Sequence, residues 1–530
     1  MEQKLIPSHC FIFNAADQVQ NWLEDLLRSD SWQQEEPFDD RITYFDSFDW
    51  RLYRQNTTLE LAAENDRKVL TYRSLSGEPL ASLDDSKPPG FSWDLPAGQL
   101  RQQLEPLLKM RRLLPLVTVH KRQQRLVLLN DADKTVLRLQ LFFDCLAAGP
   151  QDVKRKMKPH LQIMPVRGYH AAAQRLAARL EADQRLRPSA KDPLAEALAT
   201  IGRLPADYSS KLNIQLKQSQ SSKQALTTIL LQLLDTLRVN LEGTCADFDS
   251  EFLHDFRVAI RRTRSALSQL KGILPTEAVA PFREDFSWLG TITGPTRDLD
   301  VYLLKFDAYR RRLPPHLHKD LDPFHHFLLE RQKREQQTLA AELNGPRFTG
   351  LLDSWQLLLE RQRRADTALP AAQLPAKEVA GQRIWKLYKR ILKEGKAIQA
   401  DSPPEDLHEL RKTCKKLRYL LEFFQSLYPK SAIKSLVKAL KMLQDNLGDF
   451  QDYQVQGEAV LSFGLEMAEN NRATPATLLA MGTLAGSLLH QQQQTRKEFH
   501  QRFKIFCQPE NHRLFQKLFA PKNSKNVVFQ

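Results

Sequence analysis

Two different periods divide the chain. Up to about residue 170, apolar and polar residues alternate in short runs. The stretch TTLELAAENDRKVLTYRS, residues 57–74, reads as two strands around a turn at Asn65-Asp66. VTVHKRQQRLVLLNDADKTVLRLQLFF, residues 117–143, repeats that arrangement around NDADK. After about residue 217 the alternation stops. Apolar residues then recur every three to four positions in long segments such as SKQALTTILLQLLDTLRVNL (222–241) and SAIKSLVKALKMLQDNL (431–447), with prolines between them. The segment RLRPSAKDPLAEALATIGRLPADYSSKLNIQ, residues 185–215, joins the halves with three prolines and mixed polarity, which places a boundary near residue 215. The pattern predicts an α+β unit followed by an all-α unit. The glutamine run at 491–494 fits exposed helix surface.

A length of 530 residues exceeds one ordinary domain. Apolar and charged fractions of 42% and 26% are those of a soluble globular protein. No apolar run reaches the roughly 18 residues that a membrane span needs. The start, MEQKLIPSHCFIFNAADQVQ, lacks the basic region, apolar stretch and small-residue cleavage site of a secretory leader. Cys10, Cys145, Cys245, Cys414 and Cys507 lie far apart, with no CxxC and no metal-ligand spacing, which suits free thiols in a reducing cytoplasm. The net charge of +14 changes the picture more. It suits a polyanionic partner, whether nucleic acid, anionic lipid or a phosphate polymer, and charge alone does not choose among them.

A repeat narrows the choice. HDFRVAIRRTRSAL begins at His254, and HELRKTCKKLRYLL begins at His408, 154 positions later. In that one ungapped register Arg257 falls on Arg411, Arg261 on Lys415, Arg262 on Lys416 and Arg264 on Arg418. Leu267 matches Leu421 and Pro275 matches Pro429; Leu289, Gly294, Asp298 and Val301 then match Leu443, Gly448, Asp452 and Val455. Such a register points to duplication of one helical unit. On a helix, Arg257, Arg261 and Arg264 lie at about 300°, 340° and 280° from His254, so all four share an arc of about 80°. His408, Arg411, Lys415 and Arg418 occupy the same arc, with Arg262 and Lys416 flanking it and Lys412 nearby. From His254 to Lys271 there are five Lys or Arg and one acid, Asp255; from His408 to Arg418 there are five and one, Glu409. With few acids to pair them, the two stripes suit a polyanion. Arginine's planar fork gives two parallel hydrogen bonds to phosphate oxygens, lysine adds a mobile charge, and histidine adds a further donor.

The element that follows each stripe carries paired aspartates, Asp298/Asp300 and Asp449/Asp452. These are read as helix caps that also pin nearby arginines such as Arg297, in preference to Mg²⁺ ligands. No nucleophile–base pair, Gly-rich phosphate loop or HExxH occurs in this half, so no catalytic residue, cofactor or metal is expected there.

The H-x-x-R-V-x-x-R-R-x-R pattern at His254–Arg264, the GPTRDLDV segment and the second HELRKTCKKLRY resemble a CHAD domain, over residues 217–510. That resemblance implies an all-helical fold of two pseudo-twofold four-helix units around a basic channel that binds inorganic polyphosphate. It also implies localisation to polyphosphate granules, here in the cytoplasm that the free thiols suit. The stripes are almost without aromatics and carry no recognisable DNA-reading motif, so no specific nucleic-acid partner is expected, and without a long apolar run no membrane insertion is expected. The implied anion-binding residues are His254, Arg257, Arg261, Arg262, Arg264, His408, Arg411, Lys412, Lys415, Lys416 and Arg418. Arg331–Arg334, Lys386–Arg390 and Arg496-Lys497 are further candidates for the lining.

Residues 1–210 resemble a CYTH domain, a β-tunnel fold acting on triphosphates, through YFDSFDWRLYRQNTTLEL (44–61) and LQIMPVRGY (161–169). Where that family carries an ExExK signature this chain reads KLIPSHCFIF, with no carboxylate. Arg138 and Gln140 stand where acidic ligands belong, and Glu60 where a basic residue is usual. Without hard oxygen ligands a divalent ion is not held against substrate phosphates. The expected unit is therefore a degenerate, non-catalytic CYTH-like domain. The alternative is a divergent CYTH-type triphosphate or polyphosphate hydrolase served by the helical half.

Overall fold

The computed structural model describes residues 10–521, apart from 30, 65–66, 152, 167, 190–191 and 366–368. The expected Asn65-Asp66 turn lies outside the described residues. The chain divides into two compact units, Met1–Ser210 and Lys211–Gln530.

The first unit is built on one antiparallel sheet. Its strands are β1 (Cys10–Phe13), β2 (Trp32–Gln34), β3 (Phe38–Asp46), β4 (Thr57–Glu64), β5 (Arg67–Ser74), β6 (Pro79–Asp84), β7 (Leu114–Leu129), β8 (Thr135–Ala148), β9 (Lys154–Lys156), β10 (His160–Pro165) and β11 (Leu186–Pro188). They run in the order β11-β1-β10-β8-β7-β3-β4-β5-β6, with β2 on β7 and β9 on β8. The β7–β8 hairpin forms as its alternation predicts. At its turn the Asn130 side-chain oxygen accepts from the backbone N–H of Ala132 (3.1 Å) and Lys134 (2.9 Å), the local bonding that makes Asn a turn former. Helices α1 (Gln18–Ser29) and α3 (His170–Ala182) cover one part of the sheet with Trp22, Leu26, Leu176 and Leu180, and α2 (Gln99–Leu108) packs Leu100 and Leu104 near β4–β6. The proline-rich segment differs from its reading as a plain connection. It contributes β11, which pairs with β1, and α4 (Pro193–Thr200), whose Leu194 and Leu198 pack on Tyr44 and Val119. Three residues of strand and eight of helix are too short to register as a period.

The second unit is helical. Its main elements are α5 (Ser222–Cys245), α6 (Ser250–Gln269), α7 (Thr276–Ile292), α8 (Gly294–Leu304), α9 (Phe306–Arg310), α10 (Asp322–Leu343), α11 (Pro346–Arg364), α12 (Pro370–Gln373), α13 (Ala376–Ala397), α14 (Pro404–Phe424), α15 (Lys430–Glu469), α16 (Pro475–Phe506) and α17 (Pro509–Phe519). The duplication is visible in where helices begin: α5 and α13, α6 and α14, and α7 and α15 each start 154 positions apart, and α10 and α16 start 153 apart. Four helices of one repeat thus match four of the other. Ser221 and Pro375, equivalent in that register, form an antiparallel bridge with each other, as residues at a twofold relation do. A Ser221–Gln224 capping box starts α5. One difference between repeats has a clear cause. Pro295, without an N–H, breaks the first copy into α7 and α8; Asp449 stands at the equivalent position, and α15 runs on unbroken for 40 residues. The aspartates therefore do not cap helix starts as expected. Thr293 precedes α8, and Asp449 and Asp452 lie mid-helix.

Close helix contacts depend on glycine at two places. A Cβ on Gly243 of α5 would lie 2.3 Å from the Phe252 ring of α6, and one on Gly395 of α13 would lie 2.1 Å from the Phe503 ring of α16. Gly243→Ala or Gly395→Ala is expected to destabilise the protein by about 1–3 kcal/mol through overpacking, read as a lower denaturant midpoint at unchanged slope. An unchanged midpoint would show that these helices separate freely.

Candidate functional site

Helices α6 and α14 meet as neighbours across the repeat boundary. Each buries one apolar face, Phe256, Ala259, Ile260 and Leu267 on α6 and Leu410, Cys414, Leu417 and Leu421 on α14. That burial turns both basic stripes toward the same side. Two adjoining cavities result, and Arg261 lines both.

The first cavity, of about 470 Å³, is lined by His254, Arg257, Arg261, Arg297, Asp298, His408, Arg411, Gln451 and Asp452, with Val301, Tyr302, Val455 and Gln456. Apart from Arg261, every one of these has its equivalent from the other repeat in the same wall, so the cavity lies on the pseudo-twofold. Equivalent contacts position the histidines: His254 Nδ1 lies 3.1 Å from Arg297 Nη2, and His408 Nδ1 lies 2.6 Å from Gln451 Oε1. Arg257 donates to Thr293 Oγ1 (2.8 Å) and to the Gly290 carbonyl (3.2 Å), whereas Arg411 pairs with Asp452 at 3.3 Å. Burial and the neighbouring Arg261 guanidinium push Arg257 down to about 10. Burial also lowers Arg411 and Arg297 and raises the Asp298 carboxyl.

The second cavity, of about 510 Å³, is lined by Arg261, Arg264, Lys271, Arg283, Lys412, Lys415 and Lys416 among others, with Tyr419 at its edge. Its lining holds seven cationic side chains and no acidic one. Lys415 is pushed down to about 7, first by burial and then by the Arg411 and Arg261 charges. Nε of Arg283 in this lining, and of Arg411 in the first, are buried N–H groups without a hydrogen-bond partner among the described residues. Concentrated cation charge with spare donors is chemistry for an anion.

Arg262 and Arg418 stand outside both linings. Arg262 Nη2 lies 2.8 Å from Glu422, and Arg418 Nε lies 3.3 Å from the other oxygen of the same carboxylate. Glu422 thus links the two helices. Its equivalent in the first repeat is Ser268, so Lys416, the counterpart of Arg262, has no such acid opposite and faces the cavity instead. The weaker candidates lie elsewhere: Arg331 pairs with Glu466, Arg390 with Glu394, and Arg496 donates to the Ala400 and Ser402 carbonyls. Arg297, Lys271 and Arg283 were missed in the sequence. The repeat register alone would have found Arg297, opposite Gln451; Lys271 and Arg283 have Gln425 and Val437 as counterparts and carry no repeated signal. Among the described residues no cluster of three or more His, Cys, Asp or Glu fits a metal ion, and no helix is long and apolar enough to cross a membrane.

Residues 228–461 match the family model described as the CHAD domain, so the helical unit carries a CHAD domain. Two uncharacterized proteins of Mycobacterium tuberculosis, Rv2226 and MT2285, are each 23% identical over 316 residues, 57% of this chain. The chain spans 58% of the length of these relatives. Among solved structures, the CHAD domain of the plant Ricinus communis is 26% identical and aligns over 56% of this chain and 95% of its own with a TM-score of 0.47. A candidate adenylyl cyclase from Hippeastrum, described as having a dominant triphosphatase activity, is 12% identical and aligns over 38% of this chain and 99% of its own with a TM-score of 0.26.

Lys415 gives a direct check on the electrostatics. Its folded value of about 7 lies below the ordinary 10.5, so below about pH 7 it is charged in both folded and unfolded chains and the folded state carries the full cost. That cost fades as pH rises toward 10.5, where both forms are neutral. Lys415→Met is therefore expected to raise the stability of the ligand-free protein most below about pH 7, with the gain shrinking toward about pH 10. Denaturant titrations across pH measure this, and a gain independent of pH would contradict it.

Proposed function

We propose that the helical unit binds inorganic polyphosphate in the groove between α6 and α14, and that the protein associates with polyphosphate granules without hydrolysing the polymer. The observation that carries this reading is the meeting of both cationic stripes in two cavities joined at Arg261. The association of the CHAD family with polyphosphate supports it. In this reading His254, Arg257, His408 and Arg411 contact phosphates on the pseudo-twofold, and Arg261, Arg264, Lys412, Lys415 and Lys416 contact the following ones. Arg262 and Arg418, held on Glu422, set the spacing of the walls and add field. Apart from the two histidines, Tyr419 and Tyr302 are the aromatic side chains among the described residues of the two linings, few for the stacked bases of a single-stranded nucleic acid.

Binding to a charged polymer releases its condensed counterions, so affinity for long-chain polyphosphate is expected to fall at least a hundredfold between about 50 and 200 mM salt. A flat salt response, or equal affinity for monophosphate, would contradict the reading. No phosphate release from tripolyphosphate or ATP above blank is expected in the same titration; chelator-sensitive release would establish hydrolysis instead.

The same site makes affinity depend on pH. Phosphates beside Lys415 favour its charged form, so binding takes up a proton when the free protein has lost it. Affinity is expected to fall as pH rises through about 7, and Lys415→Arg, charged throughout, is expected to remove most of that fall. Calorimetric titration in buffers of different ionisation heat counts the proton directly. Equal pH dependence in wild type and Lys415→Arg would assign it to another group.

A further inference from the structure

Seven of the 22 residues of α13 are Lys or Arg, and two are acidic. Six of these cations share one face. At 100° per residue Lys386, Lys389, Arg390, Lys393 and Lys396 lie within an arc of about 140° that ends at Arg383. All but Arg383 are exposed, while Ala380, Ile384, Leu387 and Ile391 on the opposite side are buried in the core. Along the axis the stripe is about 20 Å long. Arg390, on Glu394, is the one member in a salt bridge among the described residues.

The fold does not require this charge. Helix α5 holds the equivalent place in the first repeat, starting 154 positions earlier. There Ile229, Gln232, Asp235, Thr236, Val239 and Glu242 stand at the positions of Arg383, Lys386, Lys389, Arg390, Lys393 and Lys396. The same helix is thus built with no cation at any of the six. In α13 the like charges three and four residues apart, such as Lys386/Lys389, Lys386/Arg390 and Lys389/Lys393, oppose the helix they stand on. No large apolar side chain of α13 is exposed, so the stripe lacks what an interfacial helix buries in a bilayer. Exposed cations with few acids beside them suit a polyanion.

One edge of the stripe meets the groove. Arg383 Nη2 donates to the Lys271 carbonyl at 3.2 Å, and Lys271 lines the second, wholly cationic cavity. Helix α13 also packs along α14, whose Lys412 and Lys416 line that cavity. Together the two linings hold ten Lys or Arg and two Asp among the described residues. A chain of about eight phosphates neutralises that excess, and the rest of a longer chain needs cations elsewhere. We infer that a longer polyphosphate leaves the groove past Lys271 and Arg383 and continues along α13, where Lys386, Lys389, Lys393 and Lys396 hold it as point charges. This rests on the proposed function and adds to it a preference for long chains.

The test compares the full chain with its Lys386→Gln/Lys389→Gln/Lys393→Gln variant, three exposed changes that leave the buried face of α13 intact. Affinity is measured across a salt series for polyphosphates of about eight and about sixty phosphates. The variant is expected to bind the shorter chain within about twofold of wild type, and the longer chain at least tenfold more weakly near about 50 mM salt. For the longer chain alone, the slope of log affinity against log salt is expected to shrink by about 2. Unchanged affinity for the longer chain, or an equal loss for both lengths, would overturn the inference and leave the groove reading standing. So would wild-type binding to phosphatidylserine vesicles or duplex DNA that the variant loses while keeping the longer chain. Wild-type protein that binds neither length would contradict the groove reading, and this inference with it.

Discussion

Like-charge repulsion between α6 and α14 is the constraint on which the helical unit depends. Nothing about the basic stripes favours their approach; the apolar faces behind them do. Phe256 and Ile260 on one helix and Leu410, Cys414 and Leu417 on the other are essentially inaccessible to water, within a core that spans both repeats. Burial first, and then the charges of the neighbouring arginines, lower Arg257 and Lys415 below their ordinary values. Glu422, shared by Arg262 and Arg418, offsets part of the repulsion at one place and leaves the rest available to a ligand. In the proposed reading, an anion in the groove would relieve that repulsion, and binding energy would arise from the relief as well as from new hydrogen bonds.

Duplication explains why the site has two walls, and divergence explains why they differ. Equivalent residues face each other in the cavity on the pseudo-twofold, including Asp298 and Asp452, each beside an arginine of its own repeat. Away from that axis the symmetry fails: Ser268 stands opposite Glu422 in the register, and Lys271 and Arg283 have no basic counterparts. The off-axis cavity is therefore the more cationic of the two. On the proposed function, a polymer lying through both would meet aspartates at one end and only cations at the other.

Much of this was legible in the sequence, for physical reasons that differ by element. The stripes were readable because helical period fixes which side chains share a face, and the 154-residue register supplied a second, independent copy. The long β7–β8 hairpin was readable from strict alternation and an Asn-Asp turn. Pairing was not readable. Arg262 follows Arg261 directly in sequence yet points to Glu422, 160 residues away, and no local pattern encodes that contact. The aspartates looked like caps because Gly and Pro precede them in the first copy, and only the continuous α15 reveals them as mid-helix residues. In the proline-rich segment, β11 and α4 take their structure from the sheet they pack on, not from their own periodicity.

The central claim is that both stripes serve one ligand. It is tested most directly by measuring affinity and stoichiometry for a long polyphosphate in Arg257→Ala/Arg261→Ala, in Arg411→Ala/Lys415→Ala and in the quadruple variant, with folding confirmed for each. Contacts to charged groups are worth about 1.5–3 kcal/mol each. One shared channel predicts that either double variant loses at least tenfold in affinity with no full-affinity site remaining, and that the quadruple variant binds hardly at all. Wild-type affinity at half the stoichiometry in each double variant, or loss of the fold, would contradict it.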